Sequence, residues 1–402
     1  MKNHFQVLII GGGNAGLSVA SKLLIANSKL EIGILDPTEK HYYQPAWTLV
    51  GGGTFDINKT VRSESSVMNK GVEWIQEAAA TFEPDQNAVT TASGSRITYD
   101  YLVVAPGIQL DWHKIKGLEG NLGKHGITSN YTFQTAPYTY ELLKEIKEGN
   151  ALFTNPNTPI KCGGAPQKIL YLASDFWRKQ GVLGKVQPHF YSAGGVIFGV
   201  KKYADTLNKV IDRYGIQTHF HRNLVEVKAD QKQAVFDVYK DGAVVDQETV
   251  DYGMIHITPP QSAPDFIKNS PLAMEGNALG WVDVDKHTFQ HNKYANVFSL
   301  GDVAGTPNAK TGAAIRKQAP VLVEQLISMI NTGQLTSASY NGYGSCPLVT
   351  GYGKLVLAEF DYDNNPVETF PFDQSKERWS MFQLKKHVLP WLYWNKILKG
   401  TA

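Results

Sequence analysis

Cysteine is scarce in this chain, since only two of its 402 residues, Cys162 and Cys346, carry a thiol. Two cysteines are too few for the disulfide framework of a secreted domain, so an intracellular protein is expected. Long apolar runs are also lacking, because no stretch approaches the roughly 18 residues of a membrane-spanning helix. The net charge of +2 gives little reason to expect a nucleic-acid partner.

Other common signals are missing as well. No signal or transit peptide is expected, because Phe5 already opens the first predicted strand. Neither a metal-ligand cluster nor a Ser-His-Asp arrangement stands out, so no metal site is predicted. What the chain does have is length: 402 residues allow two or three domains with buried cores.

Near its start the chain has an apolar run that breaks into a glycine-rich turn, VLIIGGGNAG over 7–16. The pattern predicts strands over 5–10 and 31–35 that flank a helix from about Asn14 to Ile25. In such a G-x-G-x-x-G turn the glycines allow a tight bend and a close approach of phosphate, and the helix N-terminus supplies N–H donors. The expected cofactor-binding residues of this turn are Gly11, Gly12, Gly13, Asn14, Ala15 and Gly16.

Two further strand ends and one acidic residue complete this set. Asp36 follows Gly16 by 20 residues, where a carboxylate accepts from ribose hydroxyls and favours FAD or NAD over NADP. The run 101–107 ends at Gly107, and the run 296–302 ends at Asp302. Asp302 is suited to bind the ribityl chain of FAD or to cap a helix. Gly312, at the start of a predicted helix over 312–330, would direct N–H groups toward the flavin ring.

The order of these patterns predicts an α/β fold with two Rossmann-like dinucleotide-binding domains and a C-terminal membrane-interface region. The first domain would comprise 1–115 and 281–330, the inserted second domain 116–280, and the C-terminal region 331–402. If the second domain bound a nucleotide, its glycine-rich turn would be expected around 191–199. The glycine spacing is missing there and Phe198 obstructs the backbone, so this domain is predicted to bind no nucleotide.

Both cysteines lie in turns rich in glycine and proline, 184 residues apart in the chain. Lys161 and Lys168 flank Cys162 and would favour its thiolate. Each cysteine is suited either to be an inert buried thiol or to serve in redox chemistry. The sequence does not show whether the two meet.

At these residues the chain resembles the sulfide:quinone oxidoreductases, most closely the branch that includes the mitochondrial enzymes. The similarity covers nearly the whole chain. Its most specific segments are 41–51, 161–168, 198–205, 344–352 and 370–378. The resemblance implies redox cysteines at Cys162 and Cys346, on the flavin face where sulfide is oxidised. It also implies FAD contacts from the 11–16 turn, Asp36, Gln44, Ala79, Asp302 and Gly312.

The mechanism that the resemblance implies uses two sulfurs beside a flavin. Hydrogen sulfide attacks a bridge between the cysteines, one cysteine becomes a persulfide and the other passes electrons to FAD. The resemblance gives the persulfide to Cys162 and the flavin-facing position to Cys346. A low-molecular-weight thiol or sulfite would take the outer sulfur, and a membrane quinone would take the electrons.

Other functions remain open at this point. An NADH:quinone oxidoreductase requires a second nucleotide turn, and a pyridine-nucleotide disulfide reductase requires cysteines a few residues apart. The sequence opposes both. A non-catalytic flavin-binding sensor of sulfide or persulfide is compatible with the sequence.

The segment 376–399 combines three tryptophans with six Lys/Arg and one acidic residue. Pro390 is predicted to break it into two short helices. Tryptophan beside lysine is typical of a membrane interface, although docking on the protein itself or a homodimer contact would use the same residues. The chain lacks the targeting extension and the further hydrophobic helix of its longer relatives. A peripheral enzyme on the cytoplasmic side of the cell membrane is therefore expected.

Overall fold

A computed structural model describes residues 2–402 of the chain. In chain order the strands of these residues are β1 His4–Ile10, β2 Ile32–Leu35, β3 Lys40–Tyr42, β4 Val61–Ser63, β5 Val72–Ile75, β6 Ala79–Glu83, β7 Ala88–Thr91, β8 Arg96–Val104, β9 Gln109–Leu110, β10 Ile127–Thr128, β11 Gly149–Asn155, β12 Val186–Ser192, β13 Gln217–Phe220, β14 Arg222–Lys228, β15 Gln233–Lys240, β16 Ala243–Asp251, β17 Met254–His256, β18 Gln261–Ser262, β19 Val297–Ser299, β20 Gly344–Gly351 and β21 Lys354–Phe360. The α-helices are α1 Asn14–Ala26, α2 Trp47–Gly51, α3 Glu64–Val67, α4 Ala136–Glu145, α5 Ala165–Lys179, α6 Lys201–Tyr214, α7 Asp265–Lys268, α8 Gly312–Thr332, α9 Trp379–Gln383 and α10 Leu389–Leu392.

The first sheet forms around the apolar strand β1. Its order is β5-β2-β1-β8-β7-β6, and β19 pairs with β8 in parallel. Val7, Leu8 and Ile9 are fully buried because helices cover one face of this sheet and further strands and loops cover the other. The pairing of β19 with β8 returns the chain to this sheet after the second domain, as predicted.

Two glycines explain how closely α1 follows β1. Gly11 has a φ of +101°, which a residue with a side chain rarely adopts. A Cβ on Gly16 would stand 1.9 Å from the carbonyl oxygen of Gly11, so no side chain fits at that point. The predicted strand, turn and helix are confirmed, and the helix N-terminus lies directly above the strand end.

The second sheet is parallel, with the order β10-β17-β11-β12-β13. The first strand–helix unit of its βαβαβ run is β11 followed by α5, so the turn where a Rossmann domain holds a dinucleotide is 156–164. The prediction that this turn lies at 191–199 was wrong, since 191–199 follows the next strand, β12. The misplacement arose because β11 begins within the polar stretch 147–150, which concealed the start of the strand.

The C-terminal region first forms the hairpin β20–β21, in which Cys346 faces Ala358 across the strand pair. The hairpin packs against α5, the helix that begins three residues after Cys162. The apolar residues that hold them together include Leu170, Leu348 and Val356, all fully buried. This packing brings Cys346, in β20, close to Cys162, which precedes α5.

The segment from Trp379 to Ile397 is one continuous helical stretch in which α9 and α10 alternate with π-helical turns. The prediction that Pro390 breaks it was wrong. Pro390 stands in the first turn of α10, directly after the π-helical turn Leu384–Val388, where its missing N–H and its ring are tolerated. Tyr393, Trp394 and Leu398 are buried in the same core as α1 and α8, so one face of the stretch docks on the first domain.

The predicted α/β fold with two Rossmann-like sheets is confirmed. The domain boundaries at 115, 280 and 330 stay predictions. Within residues 2–402, no helix combines the length and the hydropathy that crossing a bilayer would require.

Candidate active site

The glycine-rich turn after β1 is held by Asp36 at the end of β2. The N–H of Gly12 donates to Asp36 Oδ2 at 2.6 Å. The N–H and the hydroxyl of Thr38 donate to Asp36 Oδ1 at 2.8 and 2.5 Å. The carboxylate predicted to meet a ribose therefore also fixes the turn, and its Oδ2 keeps one unused lone pair.

The same end of the sheet offers open backbone and two helix N-termini. A Cβ on Gly13 or on Gly107 would meet no atom within 4 Å. The side-chain amide of Asn14, the first residue of α1, donates to the carbonyl oxygen of Gly312, the first residue of α8, at 3.3 Å. Two helix N-termini therefore converge, an arrangement that favours negatively charged groups. These residues fit a dinucleotide with an electron-accepting ring.

Asp302 lies in a single 3-10 turn between β19 and α8, flanked by two lysines. Lys310 Nζ donates to the carbonyl oxygens of Asp302 and Ala304 at 2.6 and 3.1 Å. Lys161 Nζ donates to Gln44 Oε1 at 2.5 Å. Burial lowers the pKa of both lysines to about 8 and raises that of Asp302. Of the residues predicted to bind FAD, Gln44 is thus joined to the cysteine loop through Lys161. Asp302 is joined to it through Lys310, whose carbonyl oxygen accepts from the Cys162 N–H.

Two other predicted residues belong to the same domain. Ala15, in the first turn of α1, lies close to the backbone of Gly301, since a Cβ added to Gly301 would be 3.3 Å from the Ala15 Cβ. Ala79 begins β6, four residues after the carboxyl end of β5, and β5 pairs in parallel with β2, which leads into Asp36. The fold thus gathers the predicted FAD residues that follow β1, β2, β8 and β19 along one edge, while the place of Ala79 beside them stays a prediction. Their contacts with the cofactor stay predictions.

The two cysteines meet. Cys162 Sγ and Cys346 Sγ are 3.8 Å apart, and both are free thiols. Cys162 has a φ of +54°, and its N–H donates to the carbonyl oxygen of Lys310 at 2.6 Å, which ties its loop to the loop before α8. Cys346 is buried, whereas Cys162 is partly exposed. The backbone of Gly164 passes close to Cys346, since a Cβ added to Gly164 would be 2.6 Å from Cys346 Sγ.

The surroundings of the pair shift the pKa values of its two thiols in opposite directions. A hydrogen bond from Cys346 lowers the pKa of Cys162 well below its usual value, and the ammonium group of Lys168 lowers it further. Lys168 Nζ donates to Cys162 Sγ at 2.8 Å. The bond to Cys162 and burial raise the pKa of Cys346. These opposite shifts favour a thiolate on Cys162 and a protonated thiol on Cys346 in the reduced pair.

Lys385 was not assigned a role from sequence, although it belongs to this site. It is 4% exposed, and its Nζ donates to the carbonyl oxygen of Pro45 at 3.1 Å. Burial and the neighbouring charge of Lys168 lower its pKa to about 7. The only signal in the sequence was indirect, namely a lysine among the apolar residues of the tail. Its role was missed because only folding brings the tail to the cysteines.

Comparison with known proteins places this arrangement in a family. Residues 5–144 match the family model described as "Pyridine nucleotide-disulphide oxidoreductase". The mitochondrial sulfide:quinone oxidoreductase of Mus musculus is 48% identical to this chain over 400 residues, which cover 99% of this chain and 87% of the relative. The chain belongs to the sulfide:quinone oxidoreductase family. The mitochondrial family member of Dictyostelium discoideum is also 48% identical, over 100% of this chain and 87% of its own length.

A solved structure supports the same fold. The X-ray structure of the sulfide:quinone oxidoreductase from Aquifex aeolicus superposes with a TM-score of 0.82 and 20% sequence identity, over 100% of this chain and 92% of that one. This likeness shows the fold, whereas the 48% identity to the two mitochondrial relatives confirms the predicted family and the class of flavin-dependent oxidoreductase.

Proposed function

We propose that this chain oxidises hydrogen sulfide to a cysteine-bound persulfide and passes the electrons through FAD to a quinone. The observation that carries this proposal is the contact between Cys162 and Cys346, which lie 184 residues apart in the chain and 3.8 Å apart in space. The Cys162 loop is tied to Lys310, two residues before α8, whereas Cys346 is held in strand β20. Neither an inert thiol nor a structural disulfide needs the buried lysines that surround this pair.

The sulfur step follows from thiol–disulfide exchange. Hydrosulfide attacks the Cys162 sulfur of the bridged pair, forming a new S–S bond, and the bond to Cys346 breaks. Cys346 leaves as a thiolate that holds the electron pair to be passed on. A nucleophilic acceptor, a low-molecular-weight thiol or sulfite, then removes the outer sulfur and leaves a thiolate on Cys162. As the electron pair of Cys346 is passed on, this thiolate re-forms the S–S bond with Cys346 and the bridged pair is restored. The partial exposure of Cys162 supports this order, since the acceptor must reach that sulfur.

The lysines serve this step in different ways. Lys168, hydrogen-bonded to Cys162 Sγ, stabilises the negative sulfur when the outer atom is removed. Lys385, with a pKa of about 7, exchanges a proton near neutral pH and balances the charge of the pair. When bound, FAD supplies the two-electron acceptor that connects the cysteines to the quinone. The residues proposed to hold it are the 11–16 turn, Asp36, Gln44, Ala79, Gly107, Asp302 and Gly312.

An NADH:quinone oxidoreductase is less well supported. The turn after β11 reads NPNTPIKCGG over 155–164, with prolines where the glycine spacing of a nucleotide turn would be needed. Its chain path is used to place Cys162 beside Lys310. The turn thus serves the sulfur site.

Anaerobic titration of the purified yellow protein tests the proposed function. Sulfide is expected to bleach the FAD absorbance with about one equivalent, and a soluble quinone analogue to restore it. NADH is expected to bleach it far more slowly. Bleaching by NADH but not by sulfide would contradict the proposal. Bleaching by sulfide without reoxidation by quinone would favour the non-catalytic sensor.

The quinone and membrane part of the proposal rests on the exposed face of the tail. Trp379, Val388 and Trp391 are 67%, 48% and 55% exposed, among the largest exposures of apolar side chains in the described residues. The opposite face of the same stretch is docked on the protein. The predicted docking and the predicted interface therefore use different faces, and the exposed face is proposed to enter the lipid headgroup region of the cytoplasmic membrane surface.

Replacing Trp379, Val388 and Trp391 together by serine is expected to lower the fraction of protein that floats with anionic vesicles by at least about tenfold. These side chains are mostly exposed, so the fold should be retained. The matched control replaces Val244 and Val245, which are 51% and 58% exposed in the β15–β16 hairpin. Equal flotation of the two variants would refute the interface. Truncation near Gln374 is unsuitable, because it would also uncover the core around Trp394.

A further inference from the structure

A buried hydrogen-bonded chain that the proposed chemistry does not use connects three distant segments. His41 Nδ1 is 3.1 Å from Glu64 Oε2, and His41 Nε2 is 2.6 Å from Tyr393 Oη. His41, Glu64 and Tyr393 are 4%, 1% and 6% exposed. Such burial requires that the polar groups have partners, and it makes each bond costly to remove.

The direction of the bonds follows from the groups. An ionised Glu64 can only accept, so the His41 Nδ1–H donates to it. The other nitrogen of a neutral ring then accepts, and the hydroxyl of Tyr393 donates to it. Tyr393 thus fixes the tautomer and orientation of His41, and His41 fixes the carboxylate of Glu64.

The far end of this chain lies at the dinucleotide-binding turn. Glu64 Oε2 is used by His41, whereas Glu64 Oε1 is buried without a hydrogen-bond partner. A Cβ on Gly12 would stand 2.8 Å from Glu64 Oε1 and 3.3 Å from Asp36 Oδ2. Burial, together with the charge of Asp36, raises the pKa of Glu64, although the bond to His41 opposes this shift. Two carboxylates therefore enclose the backbone of Gly12.

We infer that Glu64 is a positioning residue for the dinucleotide-binding turn, held in place by Tyr393 of the C-terminal helix through His41. The seating of that helix and the affinity for FAD are therefore coupled. The inference rests on the proposed FAD site. It assigns the inner face of the tail a part in holding the cofactor, separate from the proposed membrane contact of its outer face.

The chain supplies a matched control for this inference. The hydroxyl of Ser21, in the middle of α1, donates to the carbonyl oxygen of Leu398 at 2.7 Å. The ammonium group of Lys22 donates to that of Gly400 at 3.0 Å. These bonds anchor the same tail without touching Gly12 or Glu64. Loosening the tail in general and cutting the relay to the turn are thus separable.

The test measures the dissociation constant of FAD from the full-length apoprotein by quenching of FAD fluorescence, beside the melting temperature. Tyr393→Phe and Glu64→Gln are each expected to weaken FAD binding about tenfold. The double variant is expected to be no weaker than the single ones, because both substitutions interrupt one chain. Ser21→Ala is expected to lower the melting temperature while FAD affinity stays within about twofold.

Equal loss of affinity in Tyr393→Phe and Ser21→Ala would overturn the inference, and so would additive effects in the double variant. If Tyr393→Phe does not fold, Glu64→Gln with an unchanged affinity for FAD is sufficient to reject it. Failure of the unaltered chain to bind FAD would reject the proposed function. FAD binding by the unaltered chain with unchanged affinity in the variants would reject only the present inference.

Discussion

Replacing Cys346 or Cys162 by serine is expected to slow the sulfide-driven bleaching of bound FAD by at least about a thousandfold. A hydroxyl oxygen cannot form the S–S bridge that hydrosulfide attacks, nor leave as a thiolate that holds the electron pair. Because the side chains differ little in size, both variants should fold and retain FAD. Stopped-flow absorbance after anaerobic mixing with sulfide measures the effect.

Reduction by dithionite is the control for these variants, since it needs no cysteine. It should bleach the flavin of the unaltered chain and of both variants to the same extent. Bleaching by sulfide at the full rate in both serine variants would exclude the cysteine route. A loss confined to one variant would contradict the exchange step, which needs both sulfurs.

Replacing Lys168 by methionine is expected to raise the pKa of Cys162 in the reduced pair. The ammonium group lies 2.8 Å from Cys162 Sγ and stabilises the thiolate, while the hydrogen bond from Cys346 remains in the variant. Thiolate should therefore form at a higher pH. Alkylation of Cys162 by iodoacetamide at pH 7 should slow by at least about tenfold, and the rate should recover as the pH rises.

Lys179→Met is the matched control, because Lys179 is on the same helix, α5, but at its exposed end, beside Asp175. Its profile of alkylation against pH should coincide with that of the unaltered chain. A Lys168→Met profile that coincides as well would show that Lys168 does not stabilise the thiolate. Mass spectrometry of the alkylated peptide assigns the reaction to Cys162.

The first domain was largely predictable because its signals are local. The apolar strand, the glycines of the turn and Asp36 lie within one stretch of chain, and each has a backbone reason to be where it is. The close approach of Gly16 to Gly11 is a property of that motif alone. The bounds of β1, α1 and β2 differ from the predicted ones by at most one residue at either end.

The candidate site was predictable only in part, because its parts come from separate segments. The residues flanking Cys162 indicated a reactive thiol, but the 3.8 Å contact depends on the packing of hairpin β20–β21 against α5. Lys385 enters through the docking of the tail, which periodicity does not reveal. Pro390 was misjudged because a π-helical turn before a proline leaves no local sign in the sequence.

The bonds from α1 to the carbonyl oxygens of Leu398 and Gly400 place a constraint on the order of assembly. During synthesis the N-terminal strands leave the ribosome first and would ordinarily fold first. Here the outer surface of α1, within the first 26 residues, is completed only by backbone near residue 400. The nascent first domain must therefore wait for nearly all of the described chain before its core closes. Because Tyr393 belongs to this late segment and is linked through His41 to Glu64 beside Gly12, firm retention of the cofactor is expected only once the tail has docked.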